Sequence, residues 1–209
     1  VRYVGPAADA VIARFPETLV HAGPPGRAGR VQAWVVGPGL GDSPGAAEVL
    51  ASDVPVLVDA DGLRDLSPQA VRARPAPTLL TPHAGEAAAL LGVAREEVEA
   101  SRLTAVRELA ARFGATVLLK GSTTLVADAA GSPVRVNPTG TPWLATAGSG
   151  DVLSGLTGSL LAAGLFPADA ASAAAYLHGL AARLASTGAP LSAQDVAAAI
   201  PRAWADVAG

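Results

Sequence analysis

The sequence predicts an α/β domain built on a largely parallel sheet, and three observations carry that expectation. Short apolar runs alternate with stretches of helical periodicity along most of the chain, the pattern of successive βα units. Every candidate motif falls just after one of those runs, at the carboxyl end of a predicted strand, which is where ligands bind in an open α/β sheet. The last third turns wholly helical. In order, Val1-Arg2-Tyr3-Val4-Gly5 reads as a strand, and Ala33 to Val36 as a buried strand ending in Gly37-Pro38-Gly39-Leu40-Gly41. Pro55 to Val58 is another, ending in Asp59-Ala60-Asp61-Gly62. Thr78 to Leu80 leads into Thr81-Pro82-His83-Ala84-Gly85-Glu86 and a helix through Leu91, and the spacing of apolar residues predicts one longer helix from about Glu96 to Phe113. Thr116 to Leu119 is a β-rich run ending at Lys120-Gly121, and Thr124 to Val126 pairs with Val134 to Val136 as a hairpin around Gly131-Ser132-Pro133. Helices are predicted at Ser149 to Ala163, Ala168 to Ser186 and Ala193 to Val207, with Gly164 and Gly188 as stops.

Composition narrows the function classes. The 209 residues carry 15 basic against 18 acidic side chains, a formal charge of -3, and half of them are apolar. That suits a single domain from 1 to 209, and no linker or internal repeat interrupts it. Without a basic block, neither a nucleic-acid footprint nor a polybasic membrane patch is present. The absence of cysteine removes disulfides, thiolate metal sites and a thiol nucleophile. The most apolar stretch, Val152 to Phe166, is shorter than the roughly 20 residues a spanning helix needs, and no signal peptide is visible at the start, so the cytoplasm is the expected location. With 48 alanines and 14 arginines, those two residue types say little. Rare residues say more: Lys120 is the only lysine, Asn137 the only asparagine, and methionine is absent. That absence and the abrupt opening suggest a piece of a longer chain, an excised initiator being the alternative.

The most specific motif is Asn137-Pro138-Thr139-Gly140-Thr141-Pro142-Trp143-Leu144-Ala145-Thr146-Ala147-Gly148-Ser149-Gly150-Asp151, directly before an amphipathic helix. Gly148 and Gly150 let backbone N–H groups crowd together at the helix start, where unpaired donors and the positive end of the helix dipole favour phosphate. Asp151 would stand beside the bound phosphoryl group, able to take a proton from a substrate hydroxyl; plain helix capping by Ser149 or Asp151 is the alternative. Lys120-Gly121-Ser122-Thr123-Thr124 offers a compact ammonium and three hydroxyls at a strand end, for phosphate oxygens or simply for solvent. His83 points at the same cleft, to bond substrate or only local backbone. His21 and His178 have no comparable setting. The Gly37 to Gly41 loop permits close backbone approach to a ligand but lacks both the dinucleotide spacing and the phosphate-loop lysine. Asp59 and Asp61 are candidate magnesium ligands, or caps of the following turn.

Taken together in order, Val36-Gly37-Pro38-Gly39-Leu40-Gly41, Val58-Asp59-Ala60-Asp61-Gly62-Leu63, Leu80 to Glu86, Leu119-Lys120-Gly121 and the Asn137 to Leu153 segment resemble the NAD(P)H-hydrate dehydratase family of the ribokinase-like superfamily. Tyr176-Leu177-His178-Gly179 resembles that family's penultimate helix. The resemblance implies a ribokinase-like three-layer α/β/α fold. It implies metabolite repair: the S epimer of hydrated NADH or NADPH is returned to NADH or NADPH while ADP, or ATP, drives the loss of water with magnesium present. By matching motif positions, Gly39, His83 and Asp151 would contact the hydrate, with Asp151 as catalytic base. Lys120, Gly121, Ser122, Thr123, Thr124, Gly148, Ser149 and Gly150 would hold the nucleotide. A homotetramer is implied as well.

Two departures qualify the match. Family members normally begin with about two further βα units, so the chain is expected to lack its first N-terminal units; the epimerase domain that some members carry ahead has no counterpart in these residues. Thr141-Pro142-Trp143 stands where the family often has Asn-x-Gly. The rival readings are a kinase of the hydroxyethylthiazole or hydroxymethylpyrimidine type, which would stop at the phosphorylated alcohol, and a nucleotide-binding protein without turnover.

Overall fold

Four runs of three or four residues, Val56–Val58, Thr78–Leu80, Thr116–Leu119 and Thr124–Ala127, are buried on both faces, which is why they read as continuous apolar runs rather than as alternating ones. In the computed structural model, which describes residues 1–41, 43 and 45–208, they are the inner strands of a six-stranded sheet. We number the strands β1 (Arg2–Val4), β2 (Leu19–His21), β3 (Trp34–Val36), β4 (Val56–Val58), β5 (Thr78–Leu80), β6 (Thr116–Leu119), β7 (Thr124–Ala127) and β8 (Arg135–Asn137). Strands β3 to β8 lie side by side in sequence order; β3 to β6 are parallel, and β6, β7 and β8 are antiparallel. β1 and β2 pair in parallel as a separate two-stranded sheet.

Helices cover both faces. They are α1 (Ala8–Arg14), α2 (Gly45–Leu50), α3 (Pro68–Arg72), α4 (Ala84–Leu91), α5 (Arg95–Ala100), α6 (Arg102–Phe113), α7 (Ser149–Ala162), α8 (Pro167–Ser186) and α9 (Ala193–Ala208). The period-2 alternation of the strands divides the core: Val56, Val58, Leu80, Val117 and Leu119 pack with Val106, Leu109 and Phe113 of α6, whereas Leu57, Leu79, Leu118 and Val126 face α7 and α8. The result is the expected three-layer α/β/α arrangement, with α9 packed on α8 outside it.

The one long helix predicted from Glu96 to Phe113 is two. The chain breaks at Ser101, whose φ of -138° ends α5 and begins α6. Apolar periodicity runs on through the break, so the pattern could not show it. Helices α1, α2 and α3, of seven, six and five residues, and the three-residue β2 are too short to show a period and were not predicted.

Candidate active site

Because β3 to β6 are parallel, the loops that follow them gather at one sheet edge, and hydrogen bonds tie them together there. The Gly41 N–H donates to Asp61 Oδ2 at 3.0 Å, joining the loops after β3 and β4. Asp59, 1% exposed, accepts at Oδ1 from Lys120 Nζ at 2.6 Å and at Oδ2 from the Ser154 hydroxyl of α7 at 2.6 Å. The Lys120 ammonium also lies 3.7 Å from Glu86 Oε2. His83 caps α4: its Nδ1 accepts from the Glu86 N–H at 3.1 Å while Glu86 Oε2 accepts from the His83 N–H at 2.7 Å. Its Nε2 lies 3.5 Å from Glu86 Oε1.

The Asn137–Asp151 segment reaches this edge from the other side. Gly148 takes φ +81°, a left-handed conformation that glycine adopts without a Cβ penalty, and so starts α7 abruptly. The Ser149 N–H goes to the Thr146 carbonyl and the Val152 N–H to the Gly148 carbonyl. Among the described residues, the N–H groups of Gly150 and Asp151 have no partner, so two adjacent donors remain at the positive end of the helix. A Cβ on Gly150 would sit 3.5 Å from Lys120 Nζ, so ammonium and free amides adjoin. Asp151 lies in the same first turn, its pKa raised above the usual carboxylate value by partial burial and then by the negative charge of Asp59, with Lys120 pulling the other way.

A cavity of about 530 Å3 opens beside these groups. Of the predicted residues, His83, Lys120, Gly121, Ser122, Thr124, Ser149 and Gly150 line it. Thr123 and Gly148 do not: the Thr123 carbonyl is taken by Arg102, and Gly148 abuts Ala193. Gly39 and Asp151 lie outside the lining, and among the described residues nothing lies within 4 Å of where a Gly39 Cβ would be. The arrangement is therefore an open cavity with Gly150 in its wall and Asp151 just beyond it.

Asp59 does not stand open as a metal ligand, since both its oxygens are engaged, and among the described residues no group of three or more His, Asp or Glu side chains could hold a cation. Asp61 is engaged as well, by the Gly41 N–H and by Arg64, so a magnesium here would be held chiefly by nucleotide phosphates and water rather than by a cage of side chains.

Two arginines that shape the site went unnoticed in the sequence, and His178, which the sequence reading set aside as having no comparable setting, belongs to the site after all. Arg102 Nη2 donates to the carbonyls of Leu119, Lys120 and Thr123, bracing one cavity wall. Arg183 does the same for the other wall through the carbonyls of Thr139, Pro138 and Gly140. His178 lines the cavity and bonds the Ser149 carbonyl at 2.9 Å. In a chain whose basic residues are nearly all arginine, no arginine stood out; the one available signal was Gly179 inside an alanine-rich helix.

Known proteins share this architecture and sequence. The Bifunctional NAD(P)H-hydrate repair enzyme Nnr of Mycobacterium leprae is 53% identical over 192 residues, which is 89% of this chain and 40% of that protein. The ADP-dependent (S)-NAD(P)H-hydrate dehydratase of Neisseria meningitidis is 47% identical over 195 residues, 88% of this chain and 66% of that protein. The chain thus spans about two fifths of the length of the first relative and about two thirds of the second. Among solved structures, the ADP/ATP-dependent NAD(P)H-hydrate dehydratase of Bacillus subtilis, co-crystallized with ATP/Mg2+, superposes with a TM-score of 0.86 at 28% identity, over 97% of this chain and 76% of that one. Residues 3–202 match the NAD(P)H-hydrate dehydratase family as a whole, and the chain belongs to that family.

Proposed function

We propose that the protein dehydrates the S epimer of hydrated NADH or NADPH, converting ADP to AMP and phosphate, as a repair of redox-dead cofactor. The observation that carries this reading is Asp151 in the first turn of α7 beside two unpartnered amides and Lys120, at the mouth of a cavity large enough for a nucleotide. The nucleotide lies in the cavity, along Lys120 to Thr124 and across Gly148, Ser149 and Gly150. The hydrate lies toward Gly39, with His83, which also lines the cavity, where the two ligands meet.

Hydroxide is a poor leaving group, and the site is built to replace it. Asp151 removes the proton of the ring C6 hydroxyl as that oxygen attacks the terminal phosphorus of ADP, and AMP departs. The free N–H groups of Gly150 and Asp151, with the Lys120 ammonium, stabilise the charge that spreads over the transferring phosphoryl oxygens. The ring nitrogen lone pair then expels phosphate from C6 as a proton leaves C5, and the reduced nicotinamide is restored. A carboxylate whose pKa is raised is the stronger base for the first step. Magnesium arrives with the nucleotide rather than on protein side chains, and no step is assigned to it.

The reading includes a cytoplasmic homotetramer; among the described residues no helix is long and apolar enough to cross a membrane. Hydrated NADH incubated with the full-length polypeptide and ADP, ATP or no nucleotide tests the reaction. Return of reduced-nicotinamide absorbance only with nucleotide is expected, with ADP the better donor. A phosphorylated product that accumulates identifies a kinase instead, and ADP binding with neither outcome identifies a protein without turnover. Light scattering in solution tests the tetramer.

A further inference from the structure

We propose that His178 is the positioning residue of the phosphate-binding turn: bonded to the Ser149 carbonyl, it fixes the Ser149–Gly150 peptide so that the Gly150 N–H faces the cavity mouth. The inference rests on the function proposed above, and it starts from a misplaced polarity. His178 lies inside α8 between the core residues Leu177 and Ala181, 6% exposed, where an alanine-rich helix packs against other apolar residues. Its Nε2 is 2.9 Å from the Ser149 carbonyl oxygen, 29 residues away. A carbonyl only accepts, so Nε2 carries the proton and the ring is neutral, in keeping with a pKa lowered by burial.

The consequence follows from peptide planarity. In a trans peptide the carbonyl of one residue and the N–H of the next point in opposite directions across one rigid plane. Holding the Ser149 carbonyl from the α8 side therefore turns the Gly150 N–H away from α8, and Lys120 Nζ is close by, 3.5 Å from where a Gly150 Cβ would sit. Glycine on one side of that peptide makes the plane easy to rotate, so an external hold has something to prevent. The same helix holds the preceding loop, since Arg183 takes three carbonyls from Pro138 to Gly140 and Thr139 Oγ1 reaches the carbonyls of Ala175 and Tyr176. Ser149 is further fixed by its hydroxyl, which donates to the Leu144 carbonyl at 2.6 Å. Among the described side chains, only His178 bonds the carbonyl of the Ser149–Gly150 peptide, adding to the helical bond that this carbonyl accepts within α7.

The test replaces His178 in the full-length polypeptide. His178→Phe keeps a planar buried side chain and removes the donor; His178→Gln puts an amide N–H where Nε2 stood. ADP affinity by calorimetry and kcat and KM for the hydrate are measured on folded variants. We expect His178→Phe to lower kcat and ADP affinity, kcat by on the order of 10- to 100-fold, with KM for the hydrate little changed, and His178→Gln to recover most of the loss. Wild-type kcat and ADP affinity in His178→Phe overturns the inference, as does a glutamine variant that is folded yet no better than phenylalanine. Should the phenylalanine variant not fold, His178→Asn takes its place, because its amide reaches only as far as Nδ1; equal activity of the asparagine and glutamine variants then overturns the proposal. The calorimetric arm reads the turn even where no hydrate is turned over, so failure of the dehydratase reading and failure of this inference are separate results.

Discussion

Asp59, Lys120 and Asp151 form an alternating set of charges, and the buried Asp59 influences both of its neighbours. It bonds the ammonium directly and raises the pKa of Asp151 through space. The base form of Asp151 exists above that raised value, so the acidic limb of kcat/KM should lie above the usual carboxylate range. Asp59→Asn deletes a charge that raises the pKa and leaves Lys120, which lowers it. The limb should move to lower pH, and a pH profile that keeps the wild-type limb would refute the coupling. Asp151→Asn removes the proposed base itself and should cost about 10²- to 10⁴-fold in kcat. For His178 the sign is different. Its folded pKa is about 4 against an ordinary 6.5, so the unfolded chain takes up the proton first as pH falls. Its contribution to stability is complete above about pH 6.5 and is lost as pH falls toward about 4, roughly 3 kcal/mol in all. Urea unfolding of wild type and His178→Gln across that range checks this: the variant should lose less stability.

At the scale of elements, α8 is the organiser, and Gly179 is where it touches the loop it holds. A Cβ there would run into Thr139. By helix propensity alone, Gly179→Ala should stabilise the protein by about 1 kcal/mol; by contact it should destabilise it by about 1 to 3 kcal/mol and weaken ADP binding as the loop shifts. We expect the second, and a more stable variant with unchanged ADP affinity would show that the close approach does not matter. The inner strands β4 to β7 were legible because each is a short continuous run of buried residues, whereas β2, with no buried residue, was not. Thr78–Leu80 and Thr116–Leu119 lie where the apolar runs put them. The Ser101 break was not legible, because a pause in the helix leaves the 3.6-residue pattern almost in phase. Nor were the braces: Arg102 and Arg183 act on backbone carbonyls 17 to 45 residues away, a relation that no local spacing encodes. His83 was legible as a site residue and, at the same time, as a cap, and it is placed to be both.

Over the whole molecule, the sheet edge joins parts that would otherwise be independent. Loops from β3, β4, β5 and β6 meet there with the start of α7, and α7 packs on the opposite face from α4 and α6. A nucleotide filling the cavity would touch the loops after β5, β6 and β8 together with α7 and α8. Unfolding any of these then requires losing the ligand, so binding should stabilise the domain as a unit rather than one loop. At about 100 times its dissociation constant ADP would add about 2.7 kcal/mol, and for a domain of this size that corresponds to a rise in Tm of roughly 5 to 10 °C. With the nucleotide in the cavity as proposed and Asp151 outside its lining, Asp151→Asn should keep this rise while losing turnover. Lys120→Ala should behave in the opposite sense, lowering the Tm of the free protein by leaving Asp59 buried without its cation and shrinking the rise with ADP. Scanning calorimetry of the three proteins with and without ADP separates the two roles. If Asp151→Asn lost the ADP-induced rise as completely as Lys120→Ala, the base would belong inside the nucleotide site, and the division into a cavity for ADP and a neighbouring face for the hydrate would fail.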